Sequence, residues 1–454
     1  MNRITTPQDI DRLEALIARR EPEVLALLPE EGRFDRLRRE WDALNRRYPD
    51  PATRPPLFGA LVGVKDIFNV DGFPTRAGSD LPAELFTGPE AACVTALKSA
   101  GALVLGKTVT TQFAYFAPGP TRHPLSVTLG ELRTPGGSSS GSAAAVAAGF
   151  CSSALGTQTI GSIIRPAAFC GVVGYKPTFG RVPIDGVLPL SPSADTAGWF
   201  GGTVEDVRTV AATVVPGWRP VEEEKGGKGE GGKGSTPALL HPFSPAPLLP
   251  LSPAVVLGIP DGPYLERASA EGLAHFWQTV RRLEAAGIEI RRVPAMAGYD
   301  DIHRRHNDLV AYEAAQTHAR WFEAFREQYH PKTAELIERG RAISEAGYRR
   351  ALDGRAQLRD ELHRLMDAHG LDLWIAPAAV GAALPGLEST GDPVMALPWT
   401  HAGLPAVSLP AGTGAGGWPM GLQVVGRFGE DEALLAATAR LPVGSGYSGR
   451  SPAA

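Results

Sequence analysis

One stretch, TPGGSSSGSAAAVAAG at residues 134–149, restricts the fold of this chain more than any other. Three consecutive serines between glycines have the composition of a flexible linker. The alanine-rich run that follows is small, apolar and strongly helix-forming, which a solvated linker is not. A glycine-rich loop that leads into a buried helix is a common way to bring backbone N–H groups near a reactive centre. The stretch therefore predicts a structured loop that enters a helix.

The composition excludes several classes of protein. Of the 454 residues, 43% are hydrophobic, which is enough for a large core. The formal net charge of −4 provides no basic surplus for nucleic acid and no charged block for a membrane surface. The chain has no apolar run long enough to cross a membrane, and its N-terminus lacks the apolar stretch of a signal peptide. We therefore expect a cytoplasmic protein that binds neither nucleic acid nor a membrane.

Helical and strand-like segments alternate from about residue 57 onward. Apolar strand-type runs such as GALVLGKT and CSSALGTQT are separated by segments with helical spacing. This alternation predicts an α/β fold in which helices cover both faces of a sheet. Strand-like runs resume after a long helical region, so we expect both halves of the chain to contribute to one sheet.

Two further segments differ from this alternation. Residues 1–50 have apolar side chains at helical spacing and are expected to form N-terminal helices that pack on the core. The run EEEKGGKGEGGKGSTP has no apolar side chain that could join a core. Because strand signals resume soon after it, we interpret residues 218–252 as a disordered Gly/Pro-rich insertion within one domain at residues 55–445.

Two short patterns imitate well-known motifs. GALVLGKT, at residues 101–108, has the glycines, lysine and threonine of a phosphate-binding loop, but a helix precedes it and the four residues between the glycines are apolar. We therefore interpret it as a buried strand. GSSSG, at residues 137–141, matches the nucleophile elbow of serine hydrolases, yet a turn and not an apolar strand precedes it.

Metal binding has little support in the sequence. The three cysteines are far apart, have no metal-ligand spacing and are interpreted as buried thiols in a reducing compartment. His303 and His306 are three residues apart without an accompanying carboxylate motif, and we assign both to a solvated helix face. We therefore predict no metal site.

The candidates for chemistry lie in three other segments. Lys65 follows an apolar strand in GVKDIF, Ser138 lies in GGSSSGS, and Ser162 lies in the Thr/Gly-rich turn TQTIGS. Burial disfavours the charged form of a lysine, which can then act as a base near neutral pH. A serine hydroxyl needs a base to become a nucleophile, and the sequence has no convincing His/Asp pair. A Ser–Lys arrangement is therefore the economical hypothesis, with N–H groups of the turn facing a developing oxyanion.

Together these segments resemble the amidase signature family. The family's loop and nucleophile turn are present as TPGGSSSGSAAAVAAG and GTQTIGSIIRPAAFCGVVGYKPTFGRV. The separations of 24 residues from Ser138 to Ser162 and 73 from Lys65 to Ser138 are similar to the family's spacing. The resemblance is strong over residues 55–215, good over 370–440 and weak over 216–370. It implies a single large α/β domain with a central mixed β-sheet covered by helices on both faces.

The resemblance also implies a Ser-cisSer-Lys triad that hydrolyses a small carboxamide through an acyl-enzyme, releases ammonia and needs no cofactor. Ser162 resembles the nucleophile, and Lys65 resembles the general base. Ser138 resembles the serine that follows a cis peptide bond, Gly137–Ser138, and relays protons. The oxyanion hole is expected to consist of N–H groups of Thr159, Ile160, Gly161 and Ser162.

Two departures from the common family pattern lie in the nucleophile turn. Gln158 and Ile160 stand where many members have Asp and Gly, and neither replacement removes a catalytic side chain. Arginine follows Ser162 at the third position and not at the second. A guanidinium at Arg165 would bind a substrate carboxylate in two-pronged fashion, which favours anionic half-amides or carboxylated ureas. The alternative is a structural arginine that pairs with backbone carbonyls or an acid.

Other residues are assigned to the substrate side of the site. Gly137 and Ser139 of the loop are grouped with Arg165 as substrate-binding residues. In the segment MALPWTHAGLPAVSLPAG, both substrate contact and packing stay open for Trp399 and His401.

Three functions remain in competition at this point. The leading hypothesis is a stand-alone amidohydrolase whose only partner is a small amide substrate, with a homodimer left open. The nearest competitor is the amidase component of an ammonia-channelling transferase, such as one that amidates glutamyl-tRNA, and a hydrolase with a small partner subunit lies between the two. The third is a non-catalytic binding protein on the same fold.

Overall fold

One ten-stranded sheet organises the part of the chain that the computed structural model describes, residues 3–221 and 255–443. The strands are β1 (Leu61–Lys65), β2 (Leu103–Thr108), β3 (Ser153–Gln158), β4 (Val173–Lys176), β5 (Thr196–Gly201), β6 (Val256–Asp261), β7 (Glu289–Pro294), β8 (Leu373–Pro377), β9 (Ala406–Thr413) and β10 (Pro419–Val425). Their order across the sheet is β2-β1-β3-β5-β4-β9-β10-β8-β6-β7. The three strands at each end of the sheet run parallel, and the pairs between them are antiparallel, so the sheet is mixed.

Helices cover this sheet. They are α1 (Pro7–Val24), α2 (Arg33–Arg47), α3 (Ala92–Ser99), α4 (Ser126–Leu129), α5 (Ser140–Ala147), α6 (Ile164–Cys170), α7 (Val204–Val214), α8 (Ala270–Ala285), α9 (Tyr299–Thr317), α10 (Ala319–Phe325), α11 (Pro331–Arg341), α12 (Glu345–Ala368), α13 (Leu397–His401) and α14 (Asp431–Thr438). Within the described ranges, none of them is long and apolar enough to span a membrane.

The two faces of the sheet contribute to separate hydrophobic cores, as alternating strand side chains require. On β1, Val62 packs into a core shared with α3, α7, α8 and α14, whereas Leu61 belongs to a core shared with α1, α2, α5 and α6. On β8, Ile375 joins the first core, and Trp374 packs with α9, α12 and α13. The inner strands are therefore buried on both sides, whereas edge strand β7 is polar and mostly exposed.

The N-terminal helices cover the edge of the sheet beside β2. Leu37 and Trp41 of α2 are fully buried, and the Trp41 ring meets Phe58 edge-on with centroids 5.4 Å apart. Side chains at this helical spacing form one apolar stripe on the inner face of α2. The predicted pair of N-terminal helices is therefore present as α1 and α2.

The predicted fold class is confirmed, since one domain with a large mixed sheet carries helices on both faces. The segment GALVLGKT forms strand β2 after helix α3, as predicted, and its Lys107 pairs with buried Asp66 at 2.9 Å instead of lining a phosphate loop. Strand β5 received no prediction, because its sequence TAGWFG contains two glycines and only a short apolar run. The predicted insertion at 218–252 lies almost entirely outside the described residues, and the proposed domain boundaries stay predictions.

The fold brings Lys65 and the segments that carry Ser138 and Ser162 to one edge of the sheet. β1 and β3 are parallel neighbours with Val62 opposite Ser153 and Val64 opposite Leu155. Because both strands end at the same edge of the sheet, Lys65 at the end of β1 comes beside Thr157 near the end of β3. Helix α5 packs so closely against neighbouring backbone that a Cβ atom on Gly141 would lie 2.3 Å from the carbonyl oxygen of Ala26. This close packing fixes the start of α5 and the serine loop that precedes it.

Candidate active site

Lys65 is completely buried at the end of β1. Its Nζ lies 2.8 Å from the Oγ of Ser138 and 2.8 Å from the Oγ1 of Thr157. Burial lowers the pKa of Lys65 to about 7, although the carboxylate of Asp195 opposes this change. A lysine with this pKa is half neutral at pH 7, and its neutral amine can accept a proton from a neighbouring hydroxyl.

Ser138 lies in the glycine-rich loop before α5. The peptide bond from Gly137 to Ser138 is cis, as the resemblance implied. Gly137 packs tightly, since a Cβ atom there would lie 2.8 Å from the Cγ2 of Thr390. The loop is therefore an ordered part of the core and not a flexible linker, although its composition is that of a linker.

Ser139 points away from the site. Its hydroxyl lies 3.2 Å from the carbonyl oxygen of Thr157 on β3, and its side chain is fully buried. It is not among the residues that line the cavity described next, and its assignment to substrate binding stays a prediction.

A narrow cavity brings together most of the remaining predicted site residues. Its lining comprises Ala114, Tyr115, Phe116, Ser138, Thr159, Ile160, Gly161, Ser162, Arg165, Leu190 and Pro393. Both candidate catalytic serines therefore face the same space, although they are 24 residues apart in sequence. Ser162 is 7% exposed, which is enough for its hydroxyl to meet a small molecule in the cavity.

The turn that carries Ser162 has backbone N–H groups available for a ligand. In the described ranges, the N–H groups of Ile160, Gly161 and Ser162 form no hydrogen bond. A Cβ atom on Gly161 would come within 2.8 Å of Pro393, so only glycine lets this part of the turn pack against the opposite wall. Unpaired, closely spaced N–H groups facing a cavity can stabilise a developing negative charge.

Arg165 lies on α6 and is 2% exposed. One terminal nitrogen donates to the carbonyl of Gly137 at 2.6 Å and to the Oγ1 of Thr390 at 3.2 Å. Its Nε and its other terminal nitrogen have no partner among the described residues. Burial lowers the pKa of Arg165 to about 10, with Asp392 opposing this change, so the guanidinium is still a cation at neutral pH. Arg165 thus forms a hydrogen bond to the serine loop with one terminal nitrogen, and its other two nitrogens form none.

Gln158 performs a structural task at the position where many family members have Asp. Its Oε1 accepts the N–H groups of Ile163 and Ile164 at 2.8 and 3.0 Å, at the start of α6. Its Nε2 donates to the Oγ1 of Thr400 at 2.9 Å. A neutral amide therefore satisfies the helix start and also reaches across to α13, which a shorter carboxylate would not do in the same way.

Sequence reasoning missed the residues behind the turn. Asp195 accepts the Thr159 hydroxyl at 2.5 Å and two backbone N–H groups, and burial raises its pKa to about 6. The assignment of His306 to a solvated face was wrong, because α9 turns His306 inward and leaves only His303 exposed. Its Nε2 lies 3.0 Å from the carbonyl oxygen of Thr159. No sequence signal identified His306, since the helix around it is strongly polar.

Two residues with open assignments are also placed by the structure. Trp399 is fully buried and donates from its Nε1 to the hydroxyl of Tyr264 at 2.8 Å. His401 is fully buried with its Nδ1 3.3 Å from the Nδ1 of His306. Neither side chain lines the cavity, so packing is the alternative that the geometry supports.

The cysteines are three separate buried thiols. Burial raises the pKa of Cys93 and of Cys151 to about 12, so neither is a thiolate at neutral pH. In the ranges that the structure describes, no three His, Cys, Asp or Glu side chains form a cluster that could hold a metal ion.

Comparison with known proteins extends over nearly the whole chain. The amidase family model matches residues 32–435. The chain is 32% identical to a subunit of the glutamyl-tRNA(Gln) amidotransferase of Natronomonas pharaonis, over 86% of this chain and 97% of that relative. It is also 32% identical to the corresponding protein of Synechococcus sp. (strain RCC307), over 92% of this chain and 90% of that relative.

Solved structures give the same result. A crystal structure of an amidase superposes with a TM-score of 0.77 at 32% identity and covers 96% of both chains. A structure from a vestigial protein complex, described as revealing the origins of an s-triazine catabolic enzyme, has a TM-score of 0.78 at 26% identity and covers 96% of this chain and 94% of its own. The peptide amidase of Stenotrophomonas maltophilia has a TM-score of 0.71 at 26% identity, with coverage of 96% and 92%. The chain therefore belongs to the amidase signature family of amide-hydrolysing enzymes.

Proposed function

We propose that this chain is a stand-alone amidohydrolase that cleaves the C–N bond of a small carboxamide through an acyl-enzyme on Ser162. The observation that carries the proposal is the 2.8 Å contact between buried Lys65 and Ser138, because Ser138 lines the same cavity as Ser162. Lys65 is the base, Ser138 transfers protons and Ser162 is the nucleophile. No metal or cofactor enters any of these roles.

The reaction follows from these positions. Ser162 Oγ attacks the amide carbon while its proton passes to Ser138, and Ser138 gives its own proton to the Nζ of Lys65. The carbonyl oxygen becomes an oxyanion that the free N–H groups of Ile160, Gly161 and Ser162 stabilise. When the C–N bond breaks, the proton returns through Ser138 to the leaving nitrogen, and ammonia departs. Water then attacks the acyl-enzyme by the same relay and releases the carboxylic acid, which restores Ser162.

The substrate class that fits the cavity is a small anionic amide, such as a half-amide of a dicarboxylic acid or a carboxylated urea. Arg165 is one of the residues that line the cavity, and two of its nitrogens have no hydrogen-bond partner among the described residues. A buried cation with unused donors is costly unless an anion completes it. An adjoining outer cavity of about 260 Å³ also has cationic side chains, Lys332 and Arg339, together with Glu335. Both cavities therefore favour a negatively charged substrate.

Kinetics with a matched pair of amides test this assignment. Malonamate and isovaleramide have similar shapes, but only malonamate has a carboxylate. We expect Arg165→Gln to raise the KM for malonamate by roughly 10- to 100-fold, the range for a lost charge-assisted pair of hydrogen bonds. The KM for isovaleramide should change less than about threefold, since glutamine can still donate to Gly137. Equal changes for both amides would show that Arg165 only supports the loop.

The competing function is that of an amidotransferase component, because the curated relatives compared above are named as subunits of glutamyl-tRNA(Gln) amidotransferases. Ammonia release from glutamine and from small amides by the purified chain separates the two. Release from glutamine only in the presence of partner proteins would replace the stand-alone function. Release from small amides by the chain alone, lost in Ser162→Ala, supports it.

A further inference from the structure

The oxyanion turn is held from the side that faces away from the cavity. A peptide group is planar and trans, so the C=O of one residue and the N–H of the next point in opposite directions. Whatever fixes the carbonyl of Thr159 therefore also aims the N–H of Ile160. In the same way, the carbonyl of Ile160 aims the N–H of Gly161, and the carbonyl of Gly161 aims the N–H of Ser162.

The carbonyl of Thr159 is fixed by His306, which reaches it from α9. The Nε2 of His306 lies 3.0 Å from that oxygen, and because a carbonyl only accepts, the ring proton must be on Nε2. Burial lowers the pKa of His306 to about 3, so its ring is neutral and its Nδ1 has a lone pair. The Nδ1 of His401, 3.3 Å away, then donates to it. Each ring thus fixes the tautomer of the other, and the Nε2–H of His306 is directed at the carbonyl of Thr159.

The carbonyl of Ile160 is fixed by Thr400, which reaches it from α13. The Thr400 hydroxyl accepts from the Nε2 of Gln158 at 2.9 Å, and its proton is shared between the carbonyl of Ile160 at 2.7 Å and that of Ala396 at 3.0 Å, with Ile160 the nearer acceptor. The third carbonyl, that of Gly161, accepts the backbone N–H of Arg165 at 3.1 Å in the first turn of α6. All three peptide groups of the turn therefore have an anchor on the side opposite the cavity.

We propose that His306 and Thr400 are positioning residues for the reaction, since they aim the N–H groups of Ile160 and Gly161 at the oxyanion. Neither side chain lines the cavity, so both act through the backbone and not on the substrate. The inference rests on the acyl-enzyme function proposed above. It assigns a role in catalysis to helices α9 and α13, which supply neither the base, the relay nor the nucleophile.

The test measures covalent labelling of Ser162 by a small alkyl fluorophosphonate. The adduct places a phosphoryl oxygen where the oxyanion would lie, so the labelling rate depends on the aim of the N–H groups. We expect His306→Leu to slow labelling by roughly 10- to 100-fold, as small misplacements of catalytic groups do. The kcat for malonamate should fall by the same factor, while KM changes less than about threefold.

Two further variants distinguish an effect on the direction of the N–H groups from a general loss of stability. Glutamine places an N–H near the position of the histidine Nε2, so His306→Gln should recover labelling to within about threefold of the wild type. His123→Leu is the matched control, because His123 is also a buried neutral histidine whose Nε2 lies 2.7 Å from a backbone carbonyl, that of Phe169. It should lower the melting temperature but leave the labelling rate within about threefold.

The outcomes are distinct. Wild-type labelling rates in His306→Leu, or losses as large in His306→Gln or His123→Leu, would overturn the inference. If His306→Leu does not fold, Thr400→Val takes its place, because valine has the shape of threonine and lacks only the hydroxyl. Labelling of Thr400→Val at the wild-type rate would also overturn the inference. Absence of labelling and of amide hydrolysis in the wild type would instead refute the proposed function itself.

Discussion

In the reaction proposed above, the acid limb of the pH–rate profile reports the pKa of the base, Lys65. Burial takes the pKa of Lys65 from its ordinary 10.5 to about 7, a change that corresponds to about 5 kcal/mol against the charged form. At pH 7 about half of the enzyme then has a neutral amine, against roughly 0.03% for a solvent-exposed lysine. Because only the neutral amine can accept the proton from Ser138, kcat/KM should rise about tenfold between pH 6 and pH 8 and level off above pH 8.

The assay is ammonia release from malonamate under kcat/KM conditions, between pH 5.5 and pH 9.5. The control variant is Lys176→Met. Lys176 is also fully buried, burial lowers its pKa to about 7, and its Nζ donates to the carbonyl of Pro177. It is absent from the lining of the catalytic cavity, so its removal should keep both the activity and the inflection near pH 7. Lys65→Met should remove the activity.

Three results would refute this reasoning. A profile without an inflection between pH 6 and pH 8 would show that Lys65 does not titrate in the rate-determining state. An inflection near pH 10 would show that burial does not shift its pKa. Loss of the inflection in Lys176→Met would show that Lys176, and not Lys65, is the group that titrates.

Two further perturbations have expected outcomes. Asp195→Asn removes the carboxylate that raises the pKa of Lys65, so the inflection should move toward acid pH; an unchanged or alkaline inflection would show that the two groups do not interact. Gly141→Ala should reduce the free energy of unfolding in urea by about 1–3 kcal/mol, because its Cβ would lie 2.3 Å from the carbonyl oxygen of Ala26 and neither backbone can yield without shifting α5. The control is Gly347→Ala on α12, where a Cβ atom would meet nothing closer than 3.4 Å, so the free energy of unfolding should stay nearly unchanged. Gly149→Ala is not a suitable control, because the positive φ of Gly149 would add backbone strain.

The sequence was sufficient for the parts of the site that one short segment determines. Lys65, Ser138 and Ser162 each lie in a local pattern whose composition is unusual, and the structure places all three around one loop, one strand end and one cavity. Strand β1, which ends at Lys65, was recognisable for a similar reason, because burial on both faces favours an apolar run. Their catalytic roles stay predictions until the activity is measured.

Residues that act by reaching the site from a distant element could not be predicted. His306 lies in a polar helix, and only the packing of α9 determines which of its histidines faces inward. Ser139 shows the opposite difficulty, since its position next to Ser138 says nothing about the direction of its side chain, which the backbone conformation turns toward β3. The unused donors of Arg165 likewise depend on which nitrogen the loop carbonyl occupies.

The bond from Thr400 to Ile160 joins residues 240 positions apart. A ribosome therefore completes Lys65, Ser138 and Ser162 long before it adds the threonine that steadies the turn beside them. A nascent chain that already has these three residues still lacks the side chain that hydrogen-bonds to the carbonyl of Ile160. On the positioning role proposed for Thr400, we therefore expect amide hydrolysis to begin only after this residue has been added and the chain has folded.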